Sequence, residues 1–268
     1  MAIERTGHGD PARTVALLWG DNPTEGRANR GPRARLDTRE IADAAVALAD
    51  ARGLAALTMR ALAAELGLAS PNALYTYVPS KAELIDMVVD RCLAEFVLDT
   101  PAEGVPLPPR IAGIAEANLA VYRAHPWLAD VAQDRPPLGP AQLRKYEREL
   151  ASLTGAGLGD LDADLTLGLI TSFVRAHASQ SLAAARTEDE GAWWAQAGPA
   201  LAQRVRAEDF PHASRVGTAV GEAQGRATDP DLGFRFGVER IAAGVEALAG
   251  LNVVLRPGRP FRASDRRP

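Results

Sequence analysis

Leu57-Thr58-Met59-Arg60-Ala61-Leu62-Ala63-Ala64-Glu65-Leu66-Gly67-Leu68-Ala69-Ser70-Pro71-Asn72-Ala73-Leu74-Tyr75-Thr76-Tyr77-Val78-Pro79-Ser80-Lys81 contains three helix starts and one turn glycine. Thr58 is placed to cap a short helix whose Met59, Leu62 and Leu66 face inward, and Gly67 stops it. Ser70-Pro71 opens the next, with Ser as cap and Pro in the first turn, where a missing N–H costs nothing. Ser80-Lys81-Ala82-Glu83 reads as a capping box for a longer helix carrying Leu84, Val88, Arg91 and Cys92 and running to about Phe96. Two short helices joined through a glycine turn, locked by Leu62, Leu66, Leu68 and Leu74, make a helix-turn-helix.

The same logic extends outward. Asp37-Thr38-Arg39-Glu40 places a capping carboxylate three residues before a glutamate, and Ile41, Ala44, Ala45, Leu48 and Ala49 continue as one buried stripe until Gly53. Residues 1–36 show no helical or strand period and end in Arg27, Arg30, Arg33 and Arg35, so they read as a flexible arm. Those arginines either reach a minor groove or phosphates, or keep a tail soluble. Residues 251–268 repeat that character as a frayed tail. Between the two, helical periodicity is nearly continuous, with no alternating β run. The expected class is all-α: an arm (1–36), a DNA-binding helix-turn-helix domain (37–82), a larger helical domain (83–250) and a disordered tail (251–268).

Composition narrows the function. The chain has 268 residues, 47% hydrophobic, and a net charge of −4. Overall charge therefore does not draw it to nucleic acid, and any DNA contact must be local. Residues 1–96 hold 11 basic against 13 acidic groups, so binding depends on placement and weakens with salt. Lys81 and Lys145 are the only lysines. The single cysteine, Cys92, excludes an internal disulfide and reads as a small buried apolar residue. No apolar run reaches membrane-spanning length and no signal pattern opens the chain, so a soluble cytoplasmic protein is expected. An enzyme is the rival class. His8, His125, His177 and His212 are scattered, no nucleophile elbow or phosphate-cradling loop is present, and Gly155-Ala156-Gly157-Leu158-Gly159 follows a helix, as a linker does.

Over residues 37–81 the chain resembles the TetR family of bacterial transcriptional repressors. The Leu74-Tyr75 pair, the aromatic Tyr77 and Lys81, six residues after Tyr75, carry the likeness. Further on, His125-Pro126-Trp127-Leu128, Arg135-Pro136-Pro137-Leu138-Gly139-Pro140, Trp193-Trp194 and Phe234-Arg235-Phe236-Gly237 are similar to the ligand-binding half of its tetracycline-repressor branch. The resemblance implies base-facing roles for Ser70, Pro71, Asn72 and Thr76. It implies backbone-gripping roles for Thr58, Tyr75, Tyr77 and Lys81, and a base-reaching role for Arg60. Asn72 is of a type that pairs bidentately with adenine. Between Gly67 and Leu74 lie six residues, one more than the tetracycline-repressor pattern, so the turn lengthens and the register of residues 69–72 stays open by one.

The resemblance also implies a homodimer through the last two long helices, here Asp164 to Ala185 and Phe234 to Leu248. A two-fold dimer reads two half-sites of a palindromic operator. In the family, an effector in the sensor half shifts the fourth helix and so changes the spacing of the two reading heads. Trp127, Phe173, His177, Trp193 and Trp194 are the expected effector-pocket residues, with core packing as the competing role for each. Family members that bind magnesium-tetracycline use histidines at positions near Val97 and Gln133; neither is histidine here, so no metal or other cofactor is expected. The expected function is a repressor released from DNA by a small molecule. The alternative is a helix-turn-helix activator or a ligand-independent DNA-binding dimer.

Overall fold

The computed structural model describes residues 4–20, 36–186, 190–224 and 229–249. Among these, helices account for the regular structure, apart from one isolated bridge between Arg5 and Ala132. The arginines at 27, 30, 33 and 35 and the tail at 251–268 lie outside the described residues.

The first helix corrects the reading of residues 1–36 as an arm. Asp10 caps α1 (Pro11–Leu18) by accepting from the backbone N–H of Arg13 at 2.8 Å, and Thr14 and Leu17 are buried. An eight-residue helix is too short to announce itself by period, and its apolar face is satisfied only by packing on α5.

α2 (Thr38–Arg52) begins at the expected capping box, with Asp37 accepting from the chain and Glu40 accepting from the Asp37 N–H at 3.0 Å. It ends at Gly53, whose φ of +78° is a left-handed position. After a short 3-10 turn at Leu54–Ala56 come α3 (Met59–Glu65), α4 (Pro71–Leu74) and α5 (Lys81–Leu93). Ile41, Leu57, Leu62, Leu74, Val78 and Leu84 are fully buried among them.

This core does not stop at residue 82. It takes in the rest of α5, Val121, Trp127, Leu128 and Val131, so α5 belongs to both halves and residues 126–131 of the second half complete the core of the first. The second core unites α6 (Leu107–Ala124), α7 (Pro140–Thr154), α8 (Asp160–Arg186) and α11 (Pro230–Ala249) around Ile111, Ile114, Leu153, Ile170, Val174 and Phe234. α9 (Glu190–Ala202) and α10 (Pro211–Gln224) precede α11.

Candidate DNA interface and effector cavity

The turn of the helix-turn-helix is fixed by backbone chemistry. Gly67 sits at φ +66°, its N–H donates to Ala64 O at 3.1 Å, and Leu68 N–H donates to Ala63 O at 2.8 Å. That pairing satisfies the last carbonyls of α3 and folds Leu68 back onto the core. Thr58 caps α3 as expected, its hydroxyl accepting from Ala61 N–H at 3.1 Å. Ser70 occupies the cap position of α4, but its hydroxyl caps nothing. α4 starts where the sequence reading puts it, with Pro71 as its first residue and Asn72 one residue further in.

Thr58, Arg60, Ser70, Asn72, Tyr75 and Thr76 are exposed, while Pro71, Tyr77 and Lys81 are half-buried. Tyr75, though aromatic, leaves 46% of its surface in solvent. Tyr77 leans on the core instead. Thr76 spends its hydroxyl proton on Ala73 O at 2.7 Å. The capping box opening α5 is altered. Ser80 accepts from Ala82 N–H at 3.0 Å, but Glu83 accepts from the Ser80 hydroxyl and from Asp10 N–H rather than from the Ser80 backbone. Lys81, in the first turn of α5, pairs with Glu4 of the N-terminal segment.

A cavity of about 520 Å³ lies in the second half, walled by α5, α6, α7, α8 and the segment 128–137. Val89, Leu93, Val121 and Leu128 give it an apolar floor, and Asn118, Tyr122, Gln133, Lys145, Thr171 and Arg175 supply polar groups. Such a mixture of apolar surface and a few converging polar groups suits a small organic molecule. Lys145 and Glu149 form a buried ion pair at 2.7 and 2.8 Å, and Asn118 donates to Glu149 at 2.7 Å. Burial holds the Lys145 ammonium below the usual lysine range, against the pull of Glu149. Burial likewise pushes the Tyr122 phenol up. Gln133 donates to that phenol at 3.3 Å, and Arg175 donates to Val131 O at 3.3 Å, tying α8 to the 126–131 turn.

None of the five residues expected at the pocket lines this cavity. Trp127 is buried in the first core and donates its indole N–H to Asp50 on α2. Phe173 and His177 face α11, where Phe173 stacks on Phe234 at 5.9 Å and His177 lies 4.9 Å from the same ring. Burial lowers the pKa of His177, so the imidazole favours its neutral form. Trp193 and Trp194 are exposed on α9, edge to face with each other. Size drew attention to these side chains, whereas the cavity is formed where medium-sized residues from four helices fail to fill the space. The Gln133 position, Leu128 of the His125–Leu128 motif and the Arg135-Pro136-Pro137 motif did point to it. Among the described residues, no cluster of His, Cys, Asp or Glu is arranged to hold a metal, and no helix is long and apolar enough to cross a membrane.

On α8, Leu161, Leu165 and Leu169 recur at four-residue spacing and stay exposed, and Leu232 and Phe236 do so on α11. These two helices pack on each other, and each keeps apolar side chains exposed.

Comparison with known proteins agrees with this layout. Residues 41–88 match the family model described as bacterial regulatory proteins, tetR family. Residues 100–249 match the tetracyclin repressor-like C-terminal domain. The chain is 37% identical over 256 residues to the HTH-type transcriptional repressor DrrR1 of Streptomyces coeruleorubidus, covering 92% of this chain and 90% of the relative. Among solved structures, apo ActR from Streptomyces coelicolor superposes with a TM-score of 0.70 at 31% identity, over 81% of this chain and all of that one. ActR in complex with actinorhodin gives 0.68 at 32% identity, with the same coverage.

Proposed function

The chain belongs to the TetR family of bacterial regulatory proteins and is a DNA-binding transcriptional repressor, and from that premise we propose a cytoplasmic, non-catalytic homodimer released from a palindromic operator by a small molecule. In this reading α4 enters the major groove. Ser70, Pro71, Asn72 and Thr76 face bases, Arg60 reaches one from α3, and Thr58, Tyr75, Tyr77 and Lys81 grip the backbone. The exposed Leu165, Leu169 and Phe236 surface is the dimer seam, which brings two copies of α4 onto successive half-sites.

The 520 Å³ cavity carries the effector half of the proposal. It borders α5, whose first turn holds Lys81, so a ligand that fits only one position of α5 biases the DNA-binding state. ActR, with which this chain shares its fold, has been solved with actinorhodin bound. That molecule is the natural first probe.

The test is release of a duplex, recovered by selection with this protein, during titration with a small-molecule panel headed by actinorhodin. A releasing compound should lose potency about tenfold or more against Gln133→Ala, with duplex affinity unchanged. Release unaffected by substitutions along the cavity wall would place the effector elsewhere.

A further inference from the structure

Residues 4–19 lie between α5 and the 132–138 stretch of the cavity wall, hydrogen-bonded to both. On the cavity side, Thr6 N–H donates to Ala132 O at 3.0 Å and Ala132 N–H donates to Glu4 O at 2.9 Å, a reciprocal pair between the segment and residue 132. Arg5 and His8 both reach Asp134, at 2.6 and 3.2 Å. The Thr6 hydroxyl donates to Arg135 O at 2.6 Å, and the Trp19 indole donates to Leu138 O at 2.8 Å. This same stretch supplies Gln133, Pro136 and Pro137 to the cavity wall. On the other side, Gly7 N–H donates to Asp86 at 2.9 Å and Asp10 N–H to Glu83 at 3.2 Å, both carboxylates buried on α5. Glu4 then closes on Lys81.

The seat is shaped for this segment. A Cβ on Gly7 would lie 2.5 Å from the Arg135 Cβ, and one on Gly9 would lie 2.8 Å from the Glu83 carboxyl carbon. Only a chain without side chains at both places lies this close to the 130s loop and α5 together.

We propose that residues 4–19 form a strap coupling the cavity wall to the DNA face, with Glu4 as a positioning residue that holds Lys81 off the DNA backbone while the strap is seated. A phosphate and the Glu4 carboxylate compete for one ammonium, so DNA binding and strap seating oppose each other. By linkage, whatever moves the 131–138 wall alters how readily Lys81 is released, and DNA in turn loosens the wall. The proposal rests on the reading of Lys81 as a phosphate-gripping residue.

Glu4→Gln, in the full-length protein, tests it by fluorescence anisotropy on the selected duplex across a salt series. The variant should bind about tenfold tighter near 0.1 M salt, because no Glu4 pair has to be broken before Lys81 meets a phosphate, with the log K against log salt slope unchanged. In a Lys81→Ala background the substitution should leave affinity unchanged. Asp134→Asn, which weakens the shared anchor of Arg5 and His8 without touching Lys81 or Glu4, should shift affinity in the same direction. Amide exchange at Thr6 and Ala132 should speed up when duplex is added. Unchanged affinity in Glu4→Gln, a gain that survives Lys81→Ala, or unaltered exchange overturns the strap. Failure of the wild-type protein to bind any duplex refutes the DNA reading instead, so the two failures are separable.

Discussion

The indole N–H of Trp127 donates to Asp50 Oδ1 at 2.7 Å, joining the turn after α6 to the last turns of α2. His125 approaches the same oxygen at 2.9 Å and Glu95, in the turn after α5, at 3.1 Å, so one buried imidazole and one indole bridge three parts of the two halves. Trp127→Phe keeps most of the packing and removes one hydrogen bond to a charged acceptor, an expected loss of about 1.5–3 kcal/mol. Trp127→Ala adds a cavity, for about 3–5 kcal/mol. Urea denaturation of both variants measures the difference. No loss in Trp127→Phe would mean the hydrogen bond contributes nothing, and equal losses in the two variants would mean the packing does not.

The Lys145–Glu149 pair is the second junction to probe, because nearly all of both side chains is out of water. Removing one partner strands the other charge. Glu149→Leu should therefore cost about 3–5 kcal/mol, whereas Lys145→Met with Glu149→Leu should cost far less. A double variant as unstable as the single would show that the charges themselves are needed.

Asp86 gives a pH signature. Burial raises its carboxyl above the usual aspartate value, against the Gly7 N–H that favours the anion, with Glu83 raising it further and His8 lowering it. The folded chain then binds this proton more readily than the unfolded chain. Stability from the group is complete below the unfolded value of 3.8 and disappears as pH rises through the higher folded value. Wild-type protein should therefore gain stability relative to Asp86→Asn as the pH falls from 7 towards 4. A constant gap in paired melts across that window would exclude the effect.

Two glycines separate backbone strain from steric clash. At Gly67 an added Cβ meets nothing within 4 Å, so Gly67→Ala costs only the left-handed backbone, about 1–2 kcal/mol. At Gly237 the same Cβ would lie 2.2 Å from the Phe173 ring, so Gly237→Ala displaces that ring from its stack on Phe234 and should lose more stability. Thermal melts of the two variants should rank in that order.

What the sequence made legible follows the range of the interactions. Asp37, Gly53, Thr58 and Gly67 act on neighbours within a few residues, and the helices start and stop where those residues say. The residues proposed for the DNA face sit in the same short segment, so their place around α3, α4 and the start of α5 was legible with it. Glu4, Thr6 and Asp10 find partners 73 to 126 residues away or more, with no local pattern to announce them, so a folded strap reads as an arm. Trp127 was conspicuous as a pocket residue by its size, yet its bulk and indole N–H are consumed at the junction with Asp50. The cavity depends on Asn118, Gln133 and Arg175, ordinary surface residues until α6, α8 and the 126–138 segment are brought together.

Selection of binding sites from a random duplex library, with wild-type protein, Tyr75→Ala and Lys81→Ala in parallel, tests the DNA-binding reading most directly. A palindromic consensus enriched by the wild type and depleted in both variants is the expected result. Absence of any enriched sequence at low salt, or equal enrichment by Tyr75→Ala, would contradict the assignment of α4 as the reading head.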